Sequence, residues 1–308
     1  MTPSPGPATP PPLPATPKRG RPPAPISQDA GPLHRAWLEP VRTVLFSRGL
    51  TLDDLVERSG YSKTRISELL RGNGYYPAWE ITFSVTHALD LPARPLRRLW
   101  AAGAREARKG DGWIEYSISQ VAHDGHGPPL PYQAFTQRMA GTYADYARAF
   151  LLTDRRARYV VREAFDMLWV CWNDAVTSEN LHRYAWRLFR SRVLVRASRR
   201  QDGRVDLRPA VFSTHEVHES AAAPGHLVVL TELVDLFDAI TRLPEDQLDV
   251  VVLRHLCGIP HRRIADVLGH AHAITHAVDH HARAALKDFL GPPSPPSPAT
   301  PTPIPTPE

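Results

Sequence analysis

Helical spacing runs through most of the chain. Val160, Ala164, Met167 and Cys171 recur at steps of three and four, and Val161, Phe165, Leu168 and Trp172 do so one position on. Two adjacent apolar stripes predict a helix buried on more than one side. Val41, Val44 and Leu45 share one face of an opening helix, and Leu52, Leu55 and Val56 share a face of the next. Thr51 stands at an N-cap position before Leu52-Asp53-Asp54, whose acids suit the positive end of the helix dipole. Ser59-Gly60 ends that helix, because glycine accepts the left-handed turn. Ser62 then caps a helix over residues 63–71. Its Ile66, Leu69 and Leu70 face inward, and Lys63, Thr64, Arg65 and Ser67 face outward near its start. No segment sustains the alternation of a sheet. The expected fold class is all-α, in three small helical modules with disordered proline-rich tails.

Composition sets the boundaries. Residues 1–32 hold 12 prolines and residues 291–308 hold nine, which predicts two extended, disordered tails. Residues 33–110 carry 13 basic and 8 acidic side chains. Residues 111–132 have three acids and no Lys or Arg, and read as a linker. Residues 133–200 carry 13 arginines against six acids. Residues 201–226 are turn-rich and read as a second linker, and residues 227–290 carry six basic groups, nine acids and seven histidines. The whole has a net charge of +5, which is compatible with nucleic acid. Its two cysteines, Cys171 and Cys257, make no disulfide framework and read as buried small apolar residues. No apolar run is long enough to span a membrane, and no secretory signal is evident, so the expected location is the cytoplasm.

The helix after Ser62 suits a major groove, which admits one α-helix whose N-terminal side chains reach base edges. A solvated basic face is the plainer alternative. The segment "GLTLDDLVERSGYSKTRISELLRGNGYYPAWEITFSVTHALDL" resembles the Xre/Cro-type helix-turn-helix domains of actinobacterial regulators. The resemblance, which covers about residues 36–102, implies DNA contact by Lys63, Thr64, Arg65 and Ser67, and Ser62 and Arg71 at the two ends of the same helix are expected to join them.

Seven arginines and no acid fall within residues 183–200. Arg183, Arg187 and Arg190 share one side, and Arg192, Arg196 and Arg199 the opposite one, with Trp186, Phe189 and Val193 between. Arginine flanks beside aromatics suit a phosphate track with bases to stack on, although a merely solvated arginine-rich helix has the same pattern. "DYARAFLLTDRRARYVVREAFDMLWVCW" resembles the polymerase-binding helices of sigma-70-type factors of the extracytoplasmic-function group. "HRYAWRLFRSRVLVRASRR" is similar to their −10 helix. "LFDAITRLPEDQLDVVVLRHLCGIPHRRIADVLG" is similar to their −35 helix-turn-helix, with Pro244 opening a helix, Leu248, Val251, Val252 and Leu256 on its buried face, and Gly258 ending it. The resemblance implies a sigma region 2-like domain over residues 133–200 and a sigma region 4-like helix-turn-helix domain over residues 227–290. It implies DNA contact by Arg183, Arg187, Arg190, Arg196, His272, Thr275, His276 and Arg283, and polymerase contact by Arg158, Arg162, Glu163 and Phe165.

The sequence departs from that pattern where the family carries an acidic pair followed by a glutamine. Those places hold Arg158, Tyr159 and Arg162. Val193 and Ala197 replace the usual asparagine and aspartate of the −10 helix. The last helix exposes His272, His276 and His280, spaced by four, in place of Lys and Arg. With only Asp279 near that face, a groove-facing polar surface that charges near pH 6 is expected rather than a metal site. Pro17-Lys18-Arg19-Gly20-Arg21-Pro22 resembles an AT-hook, whose arginines reach into a narrow minor groove. No catalytic set is evident, so neither enzymatic activity nor a cofactor is expected. The expected function is that of a DNA-binding transcription regulator. One form recruits RNA polymerase core to promoters as a sigma-like initiation factor. The other reads DNA through the N-terminal module alone and uses the sigma-like part as an interaction or homodimerisation platform.

Overall fold

The computed structural model describes residues 24–121, 127–207 and 226–291, with only the backbone for residues 226–231. Residues 1–23 of the first tail with the AT-hook-like motif, the second tail beyond Gly291 and most of the second linker lie outside the described residues. Residues 24–32 correct the expectation of a disordered tail up to residue 32: the Ser27 amide donates to the Arg71 carbonyl at 2.7 Å, Arg42 donates to the Ala24 carbonyl at 2.8 Å, and Ala30 is buried. Those described are helical, with one isolated bridge between Arg199 and Val205 and no strand. None of their helices is long and apolar enough to cross a membrane. The chain divides into two compact units, Met1–Ala93 with Trp100–His123, and Arg94–Leu99 with Asp124–Glu308.

In the first unit, α1 (Pro32–Ser47) has no side-chain cap of its own. Glu106 supplies one from far along the chain, accepting from the amides of Leu33 and His34 at 2.9 Å. A carboxylate there meets the positive end of the helix dipole. Then come α2 (Leu52–Ser59), α3 (Lys63–Arg71), α4 (Trp79–His87) and α5 (Ala93–Glu106), of which Arg94–Leu99 is counted with the second unit. Trp37, Trp79 and Trp100 are fully buried with Leu38, Leu45, Leu55, Ile66 and Leu70. The Tyr76 hydroxyl ties this core together: it accepts from Trp37 Nε1 at 2.9 Å and donates to the Trp100 carbonyl at 2.6 Å.

Residues 111–132 are not a continuous linker. Asp111–Ser119 forms α6, Trp113 stacks on Trp100 at 5.6 Å, Ile114 is buried, and Ser117 Oγ accepts from the Trp79 amide at 2.7 Å. The missing Lys and Arg pointed to a linker, whereas Trp113, Ile114 and Ser117 at one helical face decide the outcome.

The second unit comprises α7 (Leu130–Leu151), α8 (Asp154–Val170), α9 (Trp172–Thr177), α10 (Leu181–Arg196) and α11 (His226–Thr241), followed by α12 (Glu245–Val251), α13 (His261–Leu268) and α14 (His272–Leu290). A π turn over Val252–Leu256 continues α12. Both stripes expected on α8 are occupied: Val160, Val161, Ala164, Met167, Leu168, Cys171 and Trp172 are buried and Phe165 half-buried.

The second and third modules expected from the sequence share one core. It runs from Tyr143, Trp186 and Phe189 to Val251, Ile264 and Leu268. A polar hub crosses it. Asp249, on α12, accepts from Tyr146 Oη at 2.7 Å, Trp186 Nε1 at 3.0 Å and Arg190 Nε at 2.9 Å. Gly269, left-handed at φ +65°, sits so close to α10 that an added Cβ would lie 2.5 Å from Asn180 Oδ1 and 2.6 Å from the Arg183 amide nitrogen. Arg263 adds a hydrogen bond to the Arg138 carbonyl at 2.9 Å.

Candidate nucleic-acid interface

In the first unit, α3 begins with a run of exposed polar side chains, Ser62 to Arg65. Two caps build the approach to it. Thr51 and Asp54 form a reciprocal capping box at the start of α2. Gly60, at φ +74°, ends α2 in the left-handed region. Ser62 Oγ then accepts from the Arg65 amide at 3.5 Å and opens α3. At the other end, the largely buried Arg42 donates Nη1 to the Leu70 carbonyl at 2.7 Å, and Gly72 closes the helix at φ +64°. Ile66, Leu69 and Leu70 are buried. These contacts fix the pitch and rotation of α3, so its outer face is preorganised.

That outer face carries Ser62, Lys63, Thr64, Arg65 and Arg71, all exposed, with Ser67 half-buried. Lys63 is engaged in the free protein. Its Nζ lies 2.7 Å from Asp53 Oδ1, and both side chains are exposed. An exposed pair of this kind is weak and readily exchanged for a phosphate. Asp53 had read only as a dipole-matching residue of α2. Its partner, ten positions away across the turn, is visible only once α2 and α3 are folded together.

In the second unit, the structure divides the expected contact residues. Arg183 and Arg187 are exposed on α10. Arg190 is not: its side chain is 12% exposed and bound to Asp249, with Glu245 at 3.2 Å on its outer side. Arg196 is bound to Glu163, which also accepts from the buried Arg192 at 2.8 Å. Arg190, Arg196 and Glu163 are therefore corrected from external contacts to internal pairs. Burial opposes the Arg190 charge, but Asp249 outweighs it and pushes the guanidinium pKa up. Burial likewise pushes the Asp249 carboxyl up, against the pull of Arg190, Tyr146 and Trp186. Arg158 and Arg162 are exposed on α8, while Phe165 is half-buried and stacks on Tyr143 at 5.6 Å.

On α14, His272, His276 and His280 are exposed, as expected of a polar face. Thr275 is corrected: it is fully buried, and its hydroxyl returns to the Ala271 carbonyl. Asp279 is buried as a second carboxylate hub. Arg254 and Arg283 each lie 2.9 Å from its Oδ2, and His261 Nε2 lies 3.4 Å from the same oxygen. Burial pushes this carboxyl up, but Arg254, Arg283 and His261 together hold it below the usual range. Arg283 is thus half-exposed and partly neutralised. His276 stacks on His261 at 4.2 Å. Burial, then the Arg254 charge, lowers the His261 pKa.

The geometry leaves one exposed, preorganised and cationic helix start in the first unit. In the second unit Arg190, Arg196 and Arg283 are tied to internal carboxylates, whereas Arg158, Arg162, Arg183 and Arg187 stay exposed. Neither a known family model nor any curated protein sequence matches the chain.

Proposed function

We propose that the protein is a DNA-binding transcription regulator whose first unit reads double-stranded DNA through α3. The observation that carries this reading is the cluster Ser62, Lys63, Thr64 and Arg65, exposed at the start of a helix whose other face is locked into the core. Arginine and lysine at a helix start bind guanine edges and phosphates, and small hydroxyls serve as phosphate donors. Such contacts belong to an intracellular protein, which is the proposed location. Selection from a random duplex library tests it. The intact protein is expected to enrich a motif, and Lys63→Ala with Arg65→Ala to abolish the enrichment. Identical enrichment by the variant would refute α3 as the reader.

For the second unit, the internal pairing of Arg190, Arg196 and Glu163 favours a sigma-like body that acts as an interaction platform. A sigma-like initiation factor is the second reading, supported by the order of its segments and the exposure of Arg183 and Arg187. Co-purification with core polymerase followed by run-off transcription separates them. A complex without promoter-dependent initiation supports the platform, and promoter-dependent transcripts support the initiation factor.

A further inference from the structure

We infer that the arginine cleft on the outer side of α8 is a binding site for an oligophosphate, such as the phosphate chain of a nucleotide. Arg155, Arg156, Arg158, Arg162 and Arg196 line it together with Tyr159, around a volume of about 730 Å³. That size is within the range of small-ligand sites.

Three observations carry the inference. The first is the charge balance. Arg155, Arg156 and Arg162 make no ion pair among the described residues. Asp154 is shared between Arg158 at 3.5 Å and Arg148 at 3.1 Å, and Glu163 is shared between Arg192 and Arg196. The neighbouring carboxylates are therefore already divided, and the cleft keeps a cationic surplus.

The second is position on the helix. Arg155, Arg156 and Arg158 stand in the first two turns of α8, which begins at Asp154 after the Thr153 cap. This is the end where the helix dipole disfavours cations. Three guanidiniums there repel one another and the dipole, and an anion seated among them would relieve both. The third is preorganisation. The guanidinium of Arg162 lies 5.7 Å from the centre of the Tyr159 ring, which is shared by Arg196 at 5.9 Å, itself held by Glu163, and Arg156 donates to the Arg196 carbonyl at 3.2 Å. Planar guanidiniums held in this way bind phosphate oxygens in pairs. Arg155 to Arg162 spans about 10 Å along the helix, enough for several linked phosphates but more than one phosphate requires.

Calorimetric titration of the full chain tests this, with inorganic tripolyphosphate and ATP as the probes. Saturable one-to-one binding is expected, at least tenfold weaker for AMP, and at least tenfold weaker for Arg155→Ala with Arg162→Ala. Both side chains are exposed, so the variant is expected to fold. Its unliganded melting temperature should equal or exceed that of the parent, without the ligand-induced rise. Lys63→Ala with Arg65→Ala should bind tripolyphosphate normally, which separates this site from DNA reading by α3. Absence of saturable binding, undiminished binding by the cleft variant, or equal affinity for AMP would overturn the inference. So would displacement of tripolyphosphate by a single-stranded oligonucleotide or a glutamate-rich peptide at lower concentration, which would assign the cleft to a macromolecular partner.

Discussion

Replacing Asp249 by alanine removes the one carboxylate on which Tyr146, Trp186 and Arg190 converge. The carboxylate is 3% exposed, so water does not replace it. Breaking a buried ion pair by deleting one partner costs about 3–5 kcal/mol, because the surviving charge is stranded. Arg190 keeps Glu245 at 3.2 Å, but that carboxylate is 80% exposed and offsets only about 1 kcal/mol. Tyr146 Oη and Trp186 Nε1 each lose an acceptor, at about 1 kcal/mol apiece. The sum is about 5 kcal/mol, a large share of a typical domain's stability. Asp249→Asn keeps one acceptor oxygen and should cost about half as much. With two units in the chain, whole-protein unfolding need not be a single transition, so the readout must be local. Hydrogen exchange followed at peptide level across a urea series provides it. Peptides from α10 and α12 should lose protection together, since the hub joins them. A loss below about 1 kcal/mol, or one confined to α12, would refute the single shared core.

Further expectations concern other sites. Asp53→Asn frees Lys63 from its pair and should raise duplex affinity several-fold at low salt, as read by fluorescence anisotropy; unchanged affinity would mean that Lys63 takes no part. Gly269→Ala places a Cβ against Asn180 and Arg183 at a left-handed position, and should lower the melting temperature of the second unit by several degrees in calorimetry. Burial, then the Arg35 charge, lowers the His34 pKa from the ordinary 6.5 to about 4. The neutral ring therefore contributes stability that is complete above about pH 6.5 and lost as the pH falls toward 4, about 3 kcal/mol in all. His34→Phe should flatten that part of the stability profile of the first unit, and an unchanged acid slope would place its origin elsewhere.

Much of the local structure was legible because it depends on residues a few positions apart. Thr51, Gly60, Ser62 and Gly258 mark their helix ends or turns as expected, and the α8 stripes face the core. What was not legible depends on partners far along the chain. Arg190 and Arg196 read as an open cationic track because arginine on a helix usually meets solvent, yet their carboxylates lie 59 and 33 residues away. Thr275 sits among histidines on a polar segment, and only the packing of α14 shows that it points inward. A buried stripe on one helix does not say which helix covers it, so two expected modules with a linker between them proved to share a core. The exposed start of α3 was the readable part of the proposed interface, and the Asp53 counter-ion of Lys63 the unreadable part.

The most direct test of α3 as a DNA reader is the affinity of the intact protein for its selected duplex, measured by anisotropy across a range of salt concentrations. Binding should weaken linearly on a log–log scale, and Lys63→Ala with Arg65→Ala should reduce both the affinity and the steepness, by about one counterion for each phosphate that is no longer neutralised. A salt-insensitive affinity, or one whose slope and magnitude survive both substitutions, would contradict the account.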